Sequence, residues 1–190
     1  MKVEAVFLDR DGTIVRYMPD IHEVRDIKVL KNAHKAIKLL NTLKVPIIVV
    51  TNQPAVAKGF CTIATVQKEN KRMIKQLKGA KISAIYFCPH HPERGFPGEN
   101  KKYKIKCNCR KPKIGMLLKA KKRFKINLKN CFMIGDEMRD VQCGKNAGCK
   151  TILLTTGVRK KDKRFKAIPD YKCKDLYHAA KLIIKLIDEK

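Results

Sequence analysis

Two aspartates, Asp9 and Asp11, close a short apolar run in A-V-F-L-D-R-D-G-T, residues 5–13. In an extended segment, acids separated by one residue face the same way, so both can meet one bound group. One carboxylate of such a pair can attack phosphorus and form an acyl phosphate. The other can protonate the departing oxygen and later activate water. Gly12 lets the backbone turn sharply after the pair. Further on, Thr51, Asn52 and Gln53 follow I-I-V-V, Arg110 and Lys111 precede Pro112, and Asp136 and Asp140 stand in I-G-D-E-M-R-D. Thr51 offers a hydroxyl, and the backbone N–H groups of Asn52 and Gln53 offer a cradle for phosphoryl oxygens. Lys111 brings a positive charge, expected beside a helix that Pro112 opens, where anions are favoured. Carboxylates gathered in one crevice repel unless a cation sits among them, and Mg²⁺ suits oxygen ligands that also face phosphate. Phosphoryl transfer needs this set: in-line positioning and positive charge around three oxygens.

A second constellation is of another kind. Cys88-Pro89-His90-His91 and Cys107-Asn108-Cys109 flank a stretch rich in proline, glycine and lysine. Two close ligand pairs joined by a loop hold a structural zinc, and four protein ligands leave no open catalytic position. Spacing alone admits either histidine; the reading adopted is Zn²⁺ on Cys88, His90, Cys107 and Cys109. A loop of this length inside a compact domain is usually functional or held by something. With a polar loop offering no core of its own, the ion would order Arg110 and Lys111 over the pocket.

The elements that must position these residues read as alternating strands and helices. Expected strands are Val3–Leu8, Pro46–Val50, Ile82–Cys88, Cys131–Ile134 and Thr151–Leu154. Between them, helical spacing links Val29, Ala33, Ala36, Ile37, Leu40 and Leu43, and then Ile63, Val66, Met73, Ile74 and Leu77 behind a Thr62 cap. Further helices are expected from Pro112 to about Phe124, through about Asn146, and over Leu176, Ala180, Ile183 and Ile187. The pattern implies an α/β, Rossmann-like fold: a five-stranded parallel sheet with helices on both faces and right-handed crossovers. Sites in such folds lie beyond the carboxyl ends of the strands, where the acidic and polar residues above fall.

Each fragment alone is weak, since D-x-D after a strand is commonly a turn. Their order and placement after the first, second and fourth strands carry the case. D-R-D-G-T, V-V-T-N-Q, R-K-P and I-G-D-E-M-R-D together resemble the haloacid dehalogenase superfamily of phosphohydrolases over about residues 3 to 155. The resemblance implies Asp9 as nucleophile, Asp11 as general acid/base, and Thr51 and Lys111 on the phosphoryl group. It also implies Mg²⁺ on Asp9, Asp136 and the backbone carbonyl of Asp11, with Asp140 supporting. C-P-H-H-P with C-x-C-R-K-P is similar to the D,D-heptose 1,7-bisphosphate phosphatases and the related histidinol-phosphate phosphatases, and T-N-Q-P-A-V-A-K-G-F resembles the former more. That branch implies substrate contact by Arg110 and no large cap domain. The chain departs from it at residues 16–21 (R-Y-M-P-D-I, without the usual glycine), at Pro54-Ala55 and at Glu137, where a basic residue is common. These departures bear on substrate choice, which rests on contacts to the non-reacting part of the molecule.

Composition sets the outer bounds. The chain has 190 residues, 44% hydrophobic, with 44 Lys+Arg against 17 Asp+Glu and eight cysteines. That length favours a single domain, residues 1–190, with the zinc-binding loop at about 88–110. No apolar run reaches membrane-span length, and Asp9 leaves no room for a leader ahead of it, so a cytoplasmic location, no membrane partner and reduced cysteines are expected. A net charge of +27 invites a polyanionic partner, either nucleic acid or a phosphorylated metabolite. Its lysines are spread out and it has no Trp, which gives a poor stacking platform for single strands. A non-catalytic nucleic-acid-binding zinc protein would also leave the strand-end acids unexplained. The preferred reading is a Mg²⁺-dependent phosphatase, taken as a monomer, acting on a small sugar phosphate such as heptose 1,7-bisphosphate. A histidinol-phosphate or nucleic-acid 3′-end phosphatase is the alternative.

Overall fold

The computed structural model describes residues 2–17, 23–155 and 164–189. Six parallel strands form one sheet in the order β3-β2-β1-β4-β5-β6: β1 Ala5–Leu8, β2 Ile47–Asn52, β3 Ala84–Cys88, β4 Cys131–Gly135, β5 Lys150–Leu154 and β6 Tyr171–Cys173. The helices are α1 Ala33–Asn41, α2 Ile63–Gln76, α3 Gly115–Phe124, α4 Met138–Ala147 and α5 Leu176–Asp188.

Alternation along the inner strands builds two cores. Val6 and Leu8, Ile47 and Val49, and Phe132 and Ile134 pack with α1, α5 and the Met73–Leu77 end of α2. Their neighbours Ala5 and Phe7, Ile48 and Val50, and Cys131 and Met133 pack with Met116, Leu117 and Ala120 of α3 and with Cys143 of α4. A strand buried on both faces must be apolar along its length, and the fully buried β1, β4 and first four residues of β2 meet that requirement. The strand order reverses at the β1–β4 pair, where Leu8 lies beside Ile134. Chains leaving β1 and β4 diverge to opposite sides there, and a crevice opens above their carboxyl ends.

The expected five strands are six. The extra strand, β6, is three residues long, half exposed, and paired to β5 from Ile152↔Tyr171 to Leu154↔Cys173. Tyr-Lys-Cys has too little apolar periodicity to announce a strand. Its position is fixed from outside: the Asp170 carboxylate accepts from the Thr151 backbone N–H at 2.8 Å, the Thr151 hydroxyl at 2.7 Å and Lys145 Nζ at 2.7 Å.

Other departures are local. Thr62 caps α2, its hydroxyl accepting from Thr65 N–H at 3.1 Å, but Ile74 is exposed while Glu69 and Asn70 are buried. Pro112 does not open α3. It follows a cis Lys111–Pro112 bond in a turn, and the helix begins at Gly115, so Lys111 is held by the turn rather than by a helix terminus.

Candidate active site

β1 delivers Asp9 to the crevice and β4 delivers Asp136; Asp140 follows on the first turn of α4. All three are buried, and each offers a carboxylate oxygen within 4.8 Å of the others. Lys111 Nζ stands between two of them, 2.8 Å from Asp9 Oδ1 and 2.6 Å from Asp140 Oδ1. The second Asp140 oxygen accepts from the Glu137 backbone N–H at 3.2 Å. Asp136 is the least supported: Thr13 Oγ1 reaches its Oδ1 at 3.5 Å, and its buried Oδ2 has no hydrogen-bond partner among the described residues.

Burial first, and mutual repulsion after it, raises the proton affinity of this group. Asp9 is pushed up to about 6 by desolvation and by Asp140 and Asp11, against the pull of Lys111. Asp136 is pushed up to about 9 by desolvation, Asp9, Asp140 and Glu137. Lys111 moves the same way: burial favours its neutral form, but Asp140 and Asp9 outweigh that and hold the ammonium charged. Three buried acids with one lysine carry surplus negative charge, and a bare inward-facing oxygen at Asp136 is where a hard cation would bind. The donor set, all oxygen and all carboxylate, fits Mg²⁺ rather than a soft metal. Gly12 is required beside it: at φ +82° it lies in the left-handed region, and a Cβ there would stand 2.1 Å from Asp136 Oδ2.

Asp11 is held apart from that group. Its carboxylate accepts from Gln53 Nε2 at 2.7 Å, Thr51 Oγ1 at 3.2 Å and Arg10 Nη2 at 3.0 Å. Asp9 and Asp11 thus line one cleft with different neighbours, Asp9 on the lysine and Asp11 on uncharged donors and an arginine. The cleft measures about 740 Å³, with Thr51, Asn52, Gln53, Arg110 and Lys111 along its walls.

The polar residues after β2 serve differently from expectation. β2 runs through Thr51 and Asn52, and the Gln53 backbone N–H donates to the Cys88 carbonyl at 2.8 Å. That N–H is therefore no part of a phosphate cradle; Gln53 contributes its side-chain amide instead. Asn52 clamps the backbone of Lys111 in both directions, accepting from its N–H at 3.0 Å and donating to its C=O at 3.2 Å.

The second cluster also forms. Cys88 closes β3, and its Sγ lies 3.5 Å from Cys107 Sγ, 3.0 Å from Cys109 Sγ and 3.6 Å from His90 Nδ1. Cys109 Sγ is 3.3 Å from His90 Nδ1 and 3.4 Å from Cys107 Sγ. Zn–S bonds of about 2.3 Å in a tetrahedron put sulfurs roughly 3.7 Å apart, so this cage fits zinc with slight expansion. His91 faces away, edge-on to Phe96 with ring centroids 5.9 Å apart. Two features tie the cluster to the crevice: Arg110 Nη1 donates to the His90 carbonyl at 3.2 Å, and Gly115 N–H donates to the Asn108 carbonyl at 2.8 Å. A Cβ on Gly115 would lie 2.4 Å from that carbonyl oxygen. The loop is less bare than its composition implies, because Phe96 packs between the ammonium groups of Lys58 (4.6 Å) and Lys104 (4.8 Å) and edge-on to Phe60.

Sequence reasoning missed the buried partners of Arg10. Its Nη1 donates to Glu69 Oε2 at 3.0 Å and Asn70 Oδ1 at 3.1 Å, both on α2. Glu69 and Asn70 fall at helical spacing between Val66 and Met73, on the face that reads as buried, and that placement is the signal that could have marked them. Of the three departures from the related branch, Pro54, Ala55 and Glu137 line the cleft, with Glu137 paired to Arg139. Residues 18–22 of the 16–21 stretch and its neighbour lie outside the described residues.

Comparison with known proteins agrees with this geometry. A family model described as HAD-hydrolase-like matches residues 108–179. The D-glycero-beta-D-manno-heptose-1,7-bisphosphate 7-phosphatase of Haemophilus ducreyi is 36% identical over 161 residues, 83% of this chain and 86% of that protein. The D-glycero-alpha-D-manno-heptose-1,7-bisphosphate 7-phosphatase of Photorhabdus laumondii is 32% identical over 82% of this chain and 85% of its own length. The crystal structure of D,D-heptose 1,7-bisphosphate phosphatase from B. bronchiseptica, complexed with magnesium and phosphate, superposes with a TM-score of 0.81 at 27% identity, covering 97% of this chain and 99% of that one. The chain belongs to this family of HAD-like hydrolases, and it is a phosphatase.

Proposed function

We propose that the protein hydrolyses the 7-phosphate of D-glycero-D-manno-heptose 1,7-bisphosphate through an aspartyl-phosphate formed on Asp9. One observation carries the chemistry: Asp9, Asp136 and Asp140 converge at the β1–β4 reversal with Lys111 between Asp9 and Asp140, while Asp11 is held separately on Thr51 and Gln53. The names of the relatives supply the substrate.

In the first half-reaction a carboxylate oxygen of Asp9 bonds to phosphorus. The phosphorus–ester oxygen bond breaks, and that oxygen takes a proton from Asp11. In the second half, water attacks the same phosphorus and gives its proton to Asp11. The bond from the Asp9 oxygen to phosphorus breaks, and orthophosphate leaves. Asp9, Asp136 and the Asp11 backbone carbonyl would hold Mg²⁺, which neutralises the acids and the developing phosphoryl charge. Lys111 orients Asp9 and Asp140 and adds positive charge to the phosphoryl oxygens, joined by the Thr51 hydroxyl. Arg110 meets the rest of the substrate. Cys88, His90, Cys107 and Cys109 would hold Zn²⁺ as a structural ion, so that residues 88–110 form a metal-held insert in one phosphatase domain.

The test is phosphate release with Mg²⁺ from both anomers of the heptose bisphosphate, histidinol phosphate and a 3′-phosphorylated oligonucleotide, with Asp9→Asn as the blank. The reading expects one heptose anomer to have the highest kcat/KM. Preference for either of the other two substrates overturns the substrate, and turnover by the blank overturns the nucleophile.

A further inference from the structure

Arg10 lies between the two aspartates in sequence, yet its side chain is only 2% exposed and points into the protein. Its guanidinium is used at both ends. Nε lies 3.2 and 3.1 Å from the two Asp11 carboxylate oxygens, and Nη2 donates to Oδ1 at 3.0 Å. On the far side Nη1 bridges Glu69 Oε2 at 3.0 Å and Asn70 Oδ1 at 3.1 Å. Glu69 is as buried as Arg10, and both acceptors ride on α2, whose apolar face is anchored in the core by Val66 and Met73.

A surface ion pair would carry no such meaning. A buried arginine spanning two elements does, because removing either end leaves a charge stranded in a poorly solvated place. The planar fork fixes direction as well as distance, which a lysine ammonium does not. Asp11 follows the last residues of β1 and precedes the turn at Gly12, so little in the backbone locks its side chain. Three side chains lock it instead: Thr51 and Gln53 from the end of β2, and Arg10, itself anchored to Glu69 and Asn70 of α2.

We infer that Arg10, anchored by Glu69 and Asn70, is a positioning residue that aims the Asp11 carboxyl group at the leaving oxygen of the substrate. This rests on the acid/base role proposed for Asp11. Through Arg10, helix α2 becomes part of the active-site frame without touching substrate. A proton donor displaced by even a fraction of an ångström loses efficiency where the leaving oxygen most needs its proton.

The dependence on leaving group makes this testable. kcat/KM reports events up to formation of the phosphoryl-enzyme. An alkyl phosphate needs a proton on its departing oxygen, whereas p-nitrophenyl phosphate, with a stable leaving anion, needs it far less. The double variant Arg10→Met/Glu69→Leu removes both charges and strands neither. The expected result is a fall in kcat/KM of about 10²-fold on the sugar phosphate and only a few-fold on p-nitrophenyl phosphate. Glu69→Gln keeps an acceptor for Arg10 and should retain most of the sugar-phosphate rate. If the double variant does not fold, Glu69→Ala carries the same readout, since it frees the far end of the guanidinium. Equal losses on both substrates, or no loss, overturn the inference. Asp11→Asn separates the two readings. If it shows the selective loss and the Arg10 and Glu69 variants do not, only the inference falls; if it shows none, the acid/base role of Asp11 falls with it.

Discussion

The carboxylate crevice and the thiol loop are both clusters of metal-ligating residues, built in opposite ways. The crevice hangs on two of the most buried strands, and its surplus charge is partly cancelled by Lys111, whose backbone is bolted to β2 by Asn52. Its side chains are placed before any cation arrives. In the loop, only Cys88 belongs to a strand; His90, Cys107 and Cys109 stand on irregular backbone. Phe96 and its two lysines give that segment a modest packing centre. The four thiol and imidazole groups meet at 3.0–3.6 Å, and the loop around them is tied down by a few bonds such as Arg110 to the His90 carbonyl and Gly115 to the Asn108 carbonyl. An ion bound at each would therefore tune the first cluster and fasten the second.

The largest effect expected from this contrast is at Asp9. Asp9→Asn should lower turnover by roughly 10⁴–10⁶-fold while leaving the far-UV circular dichroism unchanged, because strands frame the residue and the amide is isosteric. A variant with appreciable turnover would take the nucleophile away from the crevice.

Next in size is Lys111→Met, which strands Asp9 and Asp140 without their counter-charge. Breaking a buried pair by deleting one partner costs about 3–5 kcal/mol. Urea denaturation without metal should show a loss of this order, and Mg²⁺ should restore part of it. A loss below about 1 kcal/mol would mean the lysine is not what holds the acids together.

A pH dependence separates the two clusters further. Asp9 and Asp136 have folded-state proton affinities raised to about 6 and about 9. A raised acid binds protons in the folded state that the unfolded chain has released, so stability falls as pH rises toward the raised value. Metal-free protein should therefore lose stability from pH 6 to pH 9 through Asp136, by up to about 1.4 kcal/mol per pH unit, the share of Asp9 having been lost below pH 6. Mg²⁺, by favouring the ionised acids, should flatten the slope. A metal-free stability that rises over this window would contradict the crowding of acids around Asp136.

The smallest effect belongs to the loop. Cys107→Ser should loosen residues 89–106, seen as faster proteolysis there, and lower kcat/KM by about 10-fold, with Mg²⁺ affinity little changed. Zinc content by metal analysis provides the control. Purified protein that holds no zinc and resists proteolysis would show that Phe96 packing alone suffices.

Much of the site was legible early because its residues follow strands with strong apolar signatures. Asp9 after A-V-F-L, Thr51 after I-I-V-V and Asp136 after F-M-I-G each sit where a parallel sheet puts functional side chains. The cysteine pairs were legible for another reason, since ligand spacing survives without secondary structure. β6 was hidden because Tyr171 to Cys173 depends on Asp170 meeting Thr151 and Lys145 across the fold. The start of α3 was misplaced because proline at a first helical turn and proline in a cis turn look alike in sequence.

By itself, the sequence determined which chemical groups are present, which strand end each follows, and therefore that acids, hydroxyl and cations gather on one edge of a sheet. Periodicity and turn residues are local properties, and local properties are written in consecutive letters. Only the tertiary structure decided how those groups share one another: Lys111 between Asp9 and Asp140, Asp11 handed to Thr51, Gln53 and Arg10, and a glutamate from α2 closing the network. Such pairings depend on distances between segments far apart in the chain, and burial makes each of them costly to leave unmade.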